Sequence, residues 1–449
     1  MNKAIGLSRP SVLTKETRLQ SHKLSMGAAF KVALFACSAL VASSRLAMSQ
    51  AGRLDPTFGS GGKVLTNVPG STNAVANGVA LQSDGKIIVG GAFGGSGDIG
   101  LVRYNTNGTL DTGFATGGIA LANIPNGILS SAVGVGVQTG GKIVAGGTIY
   151  TLSGTNVFIG FGVVRFNPNG TMDTGFGAGG VAKALPFNTS RCGGSALVVQ
   201  PDGKILLGGG CSKGTGTSQT HVSVMARFDT NGSLDSTFGS GGSAVLAEDP
   251  TGIALQSDGK IVVAGSGIVS RYNTSGSADL SFGIFGSVGA VGSVAAIAVQ
   301  GDGKIVVAGT FSDQLSVPAD GDLALIRYNS DGTVDETFGI HGGALADFFT
   351  GTSGAAGFAL VIESSGDIIA AGKATQGSNP SEFAVARFTS LGTLDSLFGM
   401  GGVVTTSFGQ TDSVAGLAIQ TDGKIVAAGN SLNVSTGNDE FAVARYTTR

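Results

Sequence analysis

Residues 296–310 read AIAVQGDGKIVVAGT and residues 323–339 read LALIRYNSDGTVDETFG, with a variable insert between them. Asp-Gly between two apolar runs is the strongest short-range hairpin signal, and both of its turn residues are expected at positive φ. The second half carries another apolar run, an Arg-aromatic pair and a Gly-rich turn. The whole sentence is repeated along the chain. Its acid recurs at Asp55, Asp111, Asp173, Asp235, Asp279, Asp335 and Asp395. Three residues later stands Phe58, Phe114, Phe176, Phe238, Phe282, Phe338 or Phe398. The base before Tyr or Phe recurs as Arg103, Arg165, Arg227, Arg271, Arg327, Arg387 and Arg445. Three anchors agree on seven units.

Each unit offers four short strands. In the first they are Lys63–Thr66, Val79–Gln82, Lys86–Val89 and Leu101–Tyr104. Four strands per 44 to 62 residues describe an all-β fold: a seven-bladed β-propeller of four-stranded antiparallel blades. A β-helix is the rival, but its rungs are far shorter and its ends need caps. With Val79–Gln82 innermost, the strand at Lys63 is left to complete the last blade and close the ring. The Asp-Gly and Phe-Gly turns then share one face. The irregular loops share the other: 92–99, 148–161, 211–222, 266–269, 310–322, 373–382 and 430–440.

Composition sets further bounds. The chain has 449 residues, 78 of them Gly, and Gly follows no three-residue period, so collagen is excluded. Of 27 Lys+Arg and 29 Asp+Glu, residues 1–53 hold eight and one, so residues 54–449 keep 19 and 28, a net of −9. Thirteen of those 19 bases are the seven Arg and six Lys of the repeat. The rest are too scattered to track a phosphate backbone, and nucleic acid is not an expected partner.

Residues 1–51 read as a leader and secretory signal peptide with cleavage near 42–51, and residues 52–449 as a single seven-repeat domain. Lys31 precedes eleven apolar or small residues, Val32–Ala42, and a small-residue region follows. Eleven residues are too few for a permanent span. Translation from Met1 and from Met26 are both compatible with this pattern. The expected location is periplasmic, cell-surface or extracellular, with no membrane span after cleavage and a monomeric state.

At the repeat residues just quoted, LDxxFGxGG, ALQxDGKIxVAG and ALARYNxDG, the chain resembles the delta-60 repeat family, a β-propeller domain of unknown function. The resemblance covers residues 54–449. It implies an exported, mostly bacterial propeller and brings no catalytic residues with it. Departures are local: Gly140 replaces the turn Asp, Ser365-Gly366-Asp367 replaces Asp-Gly-Lys, and Phe285 interrupts a Gly-Gly pair.

Candidate chemistry is sparse. Seven identical Arg and Asp are expected to pair with each other or with carbonyls at blade junctions, where a planar guanidinium suits bidentate bonding. Cys192 and Cys211 flank one hairpin turn; a two-residue turn leaves them two positions out of register, and a longer loop or a bulge brings them opposite. A disulfide and two small buried thiols are both compatible with that spacing. His221 and His341 lack metal-ligand spacing. Turns such as Asp229–Gly232 and Asn329–Gly332 only faintly resemble calcium loops, so no cofactor is expected, calcium being the one candidate. Gly210–Gly214 matches G-x-S-x-G without a following helix.

The function expected from these residues is non-catalytic binding or scaffolding of an unknown protein or surface ligand through the irregular-loop face. The alternative is a secreted hydrolase or lyase at the channel mouth, using His221, Asp320, Asp322, Glu382, Asp439 or Glu440.

Overall fold

The run Ile87, Ile88 and Val89 is fully buried on both faces, as are its counterparts in the other units. Such a strand has to lie inside a sheet and between sheets at once. The computed structural model describes residues 51–448, except 70, 72, 95–97, 215–218, 291, 313–320 and 350–352. It has seven four-stranded antiparallel sheets. The first runs Ala74–Leu81, Ile87–Phe93, Asp98–Tyr104 and Ile119–Leu121, in that order from inside out. The innermost strands of successive blades, Ala74–Leu81, Gly127–Val137, Arg191–Val199, Gly252–Leu255, Ser293–Val299, Ser353–Ile362 and Thr411–Ile419, contact one another around the whole ring. The expected seven-bladed β-propeller is therefore the observed fold. Among the described residues no helix is long and apolar enough to cross a membrane.

The ring closes as the phasing requires. Lys63–Thr66 pairs with Asn438–Tyr446 as the outer strand of the seventh blade. Closure extends beyond this strand, because the two ends of the chain rebuild one repeat turn between them. Gly52 N–H donates to Thr447 O at 2.7 Å and Thr447 N–H donates to Arg53 O at 2.8 Å. These bonds copy those between Gly108, Asn105 and Thr109 inside the first blade. Gly399 N–H donates to the Ala51 carbonyl, as Gly59 N–H does to Asn107. The buried Phe58 and Asp55 follow in the same stretch.

Two local expectations need correction. The Asp-Gly turns are three-residue turns in which Gly alone is left-handed. In the third blade Gln200 N–H donates to Lys204 O, so Pro201-Asp202-Gly203 forms the turn, and only Gly203 has positive φ, at 85°. The Asp instead uses its side chain, Asp202 Oδ1 accepting the Lys204 amide. The predicted loop 148–161 is strand: Ile143–Ser153 and Asn156–Phe166 form one long hairpin with two residues at its tip. Pairing continues because Thr148, Tyr150 and Phe161 suit a strand better than a loop.

Removal of residues 51–66 strips the outer strand from the seventh blade and leaves Arg445 without its carboxylate. We expect a loss of more than about 4 kcal/mol, seen as a lower and less cooperative thermal transition. An unchanged transition would mean that the ring closes without its N-terminal strand.

Candidate functional site

The repeated residues meet at the blade junctions. In six blades the Arg Nε donates to the Oδ2 of its own unit's Asp at 2.7–3.0 Å. In the same six the guanidinium carbon lies 4.3–4.8 Å from the centroid of the repeated Phe. Its Nη1 reaches into the next blade to donate to a turn carbonyl: Arg103 to Pro168, Arg227 to Thr274, Arg445 to Thr106. Hairpin lysines bind the same Asp oxygens, for example Lys204 to Asp235 at 2.7 Å and Lys304 to Asp335 at 2.8 Å. These lysines are thereby part of the junction. Buried Asp235 illustrates the electrostatics. Burial alone raises its carboxyl, but Lys204, the Thr237 hydroxyl and amide, and Arg227 outweigh this and hold it well below the usual range. The repeat Arg and Asp therefore do structural work.

The sixth blade departs from the pattern. Glu363 stands where all six other blades have Gln, and Asp367 stands in the lysine position. Arg387 is then shared by three carboxylates: Glu363 at 2.8 Å, Asp367 at 3.4 Å and Asp395 at 3.5 Å. Burial is the main cause that pushes the Glu363 carboxyl up. An open cleft of about 750 Å³ between the fifth and sixth blades borders this cluster, with Lys304 and Arg327 on its far wall. Both of those bases are already paired with Asp335.

The opposite face is uneven. The second and third strands are 11 residues each in the second blade and five each in the fourth. At about 3.4 Å per residue, the six-residue difference makes the second blade's hairpin roughly 20 Å taller. The fourth blade is thus a notch in the wall. Its third-blade flank is the hairpin Ile205–Lys213 with Thr220–Phe228. There Cys192 and Cys211 are opposite each other, and their sulfurs are joined at 2.01 Å. The three-residue turn supplies one position of register and a bulge between Gly194 and Ala196 supplies the other.

The floor of the notch is the crossing segment 247–251. Asp249 O would lie 1.8 Å from a Cβ on Gly265, so only glycine admits this crossing. Asp249 Oδ1 is 2.7 Å from His221 Nε2 and accepts a hydrogen bond from the Ser223 hydroxyl at 2.6 Å. Sequence spacing gave no sign that these three would meet. They do not form a catalytic triad: the carboxylate holds both partners, and Ser223 Oγ is 3.5 Å from the imidazole. Next to Asp249, Glu248 is buried against Ser270, whose hydroxyl donates to Oε2 at 2.8 Å, while Oε1 has no partner. Burial raises its carboxyl to about 7.

The other described sequence candidates do not join His221. Glu382 begins a strand of the sixth blade, and Asp439 and Glu440 lie in the seventh, where the Asn433 amide donates to Glu440 at 3.1 Å. Asp322 lies in the fifth blade, on Gly321–Tyr328, and Asp320 lies outside the described residues. The turn acids proposed for calcium are engaged elsewhere: Asp229 with Lys204 at 3.2 Å and Asp331 with the Thr333 amide and hydroxyl. Among the described residues no group of three or more His, Cys, Asp or Glu could hold a metal ion.

The model of a β-propeller domain of unknown function, DUF5122, matches residues 82–114, 138–176, 200–238, 256–282, 300–338, 363–398 and 420–448. The chain belongs to this family. Its seven matches run from the inner-strand Gln, or Glu363, through the Asp-Gly hairpin to the repeated Phe in the first six blades, and to Thr448 in the last. No curated protein matches the chain. Solved structures similar to this DUF5122 protein include the polysaccharide lyase Uly1, at 12% identity, covering 89% of this chain and 98% of that one, TM-score 0.45. Another is a protein of unknown function from Dyadobacter fermentans, at 10% identity, 88% and 100% coverage, TM-score 0.40. A third is the PQQ-bound aldose sugar dehydrogenase of Streptomyces coelicolor, at 11% identity, 69% and 92% coverage, TM-score 0.39.

Glu248 gives the face a pH dependence. Its raised carboxyl favours folding fully below the unfolded value near 4.5, and that contribution is lost as pH rises through about 7. Glu248→Gln is expected to leave stability at pH 4 nearly unchanged and to raise it at pH 8 by on the order of 3 kcal/mol. Chemical denaturation at the two pH values checks this. Equal stability changes at both would contradict it. Thiol titration of the unreduced, denatured protein should find neither Cys192 nor Cys211 free, and finding both free would remove the disulfide.

Proposed function

We propose that this DUF5122 propeller is an exported, non-catalytic binding or scaffold module that grips a protein or surface ligand with its loop face. The observation that carries this reading is the uneven wall, with hairpin strands of 11 residues at the second blade and of five at the fourth. Uniform turns on one face and variable hairpins on the other are the distribution expected when one face is scaffold and the other selects a partner. The notch gives an extended segment a way in over the fourth blade, past Asp249 and His221, both exposed. Apolar Leu152, Val157 and Val434 on the hairpin tips offer contact area. Export is supported by the basic, apolar, small-residue order of residues 26–51 and by the third-blade disulfide, which suits an oxidising compartment.

The enzyme alternative has less support. Its described candidate side chains stand on third strands of four different blades, and the pair His221–Asp249 lies in the exposed notch. A hydrolase or lyase needs an acid or base beside a nucleophile or electrophile at one point.

The test shortens the tall hairpin. Residues 148–161 are replaced by Ser266-Gly267, the turn that the fourth blade itself uses, and cross-linked partners are captured from the native surroundings. Wild type should retain a defined partner that the shortened variant loses by at least about tenfold. Equal capture by both would overturn the loop-face reading.

A further inference from the structure

The seven turns that run from the repeated Asp through Phe to a closing Gly, with Gly after the Phe in all but the first blade, where Ala115 stands, act as controls for one another. In four consecutive blades the exposed positions are small or polar: Pro56 and Ser60, Thr112 and Thr116, Thr174 and Ala178, Ser236 and Ser240. In the other three the turn carries large apolar residues: Leu280, Ile284 and Phe285 in the fourth blade, Ile340 in the fifth beside Glu336, and Leu397 and Met400 in the sixth beside Ser396. Each of the six apolar residues is at least 69% exposed. Leu391 lies beside them, its carbonyl accepting the Gly339 N–H at 2.8 Å next to Ile340. The fold does not require any of this apolar surface, because the same turn closes equally well around Ser and Thr.

Backbone strain makes the same point independently. The penultimate position of the turn is left-handed, and five blades fill it with Gly61, Gly117, Gly179, Gly241 and Gly401. A Cβ at any of these five glycines would meet nothing within 4 Å, so the tip faces open space. The fourth and fifth blades place Phe285 and His341 there at φ 54° and 51°. A side chain larger than Gly in that region costs roughly 1–2 kcal/mol. With 84% and 89% exposure, neither residue recovers that cost by packing in the ring. Strain kept at an exposed tip points to a contact outside the ring.

We propose that this crescent over the fourth, fifth and sixth blades is the interface with a second copy of the chain, the two rings packing turn face to turn face about a two-fold axis at the fifth blade. Size supports this occupant. At roughly 150–250 Å² for a large side chain, the seven residues expose about 1,000 Å². The largest apolar patch of a typical monomer is about 300–600 Å², and a stable interface takes about 800 Å² from each partner. Charge supports it too. Apart from the junction Asp residues, the three turns carry one acid and one base, Glu336 and His341, both in the fifth blade. The two lie 3.5 Å from each other within one ring, His341 Nδ1 to Glu336 Oε2, and the other two turns bring no further charge to the contact. The fourth blade of one ring then covers the sixth of the other. This goes beyond the loop-face reading and is independent of it, since the loop faces point away from each other and stay free.

The test is sedimentation velocity of the full chain, so that residues 1–50 are common to every sample. Wild type should sediment as a dimer at micromolar concentration. Ile284→Ser with Ile340→Ser and Met400→Ser installs the residue found at Ser60 and Ser240, and should give a monomer with unchanged circular dichroism. Phe285→Gly with His341→Gly restores the glycines of the other turns. That variant should melt no lower than wild type and still dimerise at least about tenfold more weakly, a combination that a purely structural role would not produce. A monomeric wild type overturns the proposal, as does a dimer that both variants leave intact. Wild type that stays monomeric but binds phosphatidylglycerol vesicles through the crescent overturns it in favour of a lipid surface.

Discussion

At six of the seven blade junctions the guanidinium does three things at once. It neutralises a buried carboxylate of its own unit, lies over a Phe ring and donates to a carbonyl of the next blade. Removing any one partner leaves a charge buried without compensation, which costs far more than an exposed ion pair contributes. At these junctions the repeated Phe is fully buried and roofs the cation it packs against. Six junctions follow this plan closely. The sixth blade, with Glu363 and Asp367 around Arg387, lacks both the short Arg–Asp bond and the ring contact.

That constraint explains why so much of the fold was legible in the sequence. A residue whose partners are fixed in every blade must recur with fixed neighbours, so Arg, Asp and Phe count the blades directly. Their junction role was readable as well, because seven identical residues favour a structural use. Closure followed from the phase of the first strand, although the sharing of a turn by Ala51–Arg53 and Thr447 could be seen only in coordinates.

The remaining features were hidden for identifiable reasons. Whether 148–161 is loop or strand depends on pairing across the hairpin, and period alone does not decide it. The register of Cys192 against Cys211 needed a bulge that no residue signals. The meeting of His221, Ser223 and Asp249 depends on a crossing that Gly265 admits by having no side chain. Glu248 looked like any loop acid, and its burial against Ser270 is set by tertiary packing. Glu382 lies in a different blade from Asp439 and Glu440 because nothing in the repeat draws these carboxylates together.

The central claim is that the ring is one cooperative unit held by its junctions, and a pair of calorimetric scans tests it most directly. Asp235→Ala removes the carboxylate from an intact junction, and Asp395→Ala removes it from the altered one. Both variants should show a single transition, with a loss of about 3–5 kcal/mol for Asp235→Ala and a clearly smaller loss for Asp395→Ala. Equal losses, or a transition that splits into separately melting blades, would contradict it.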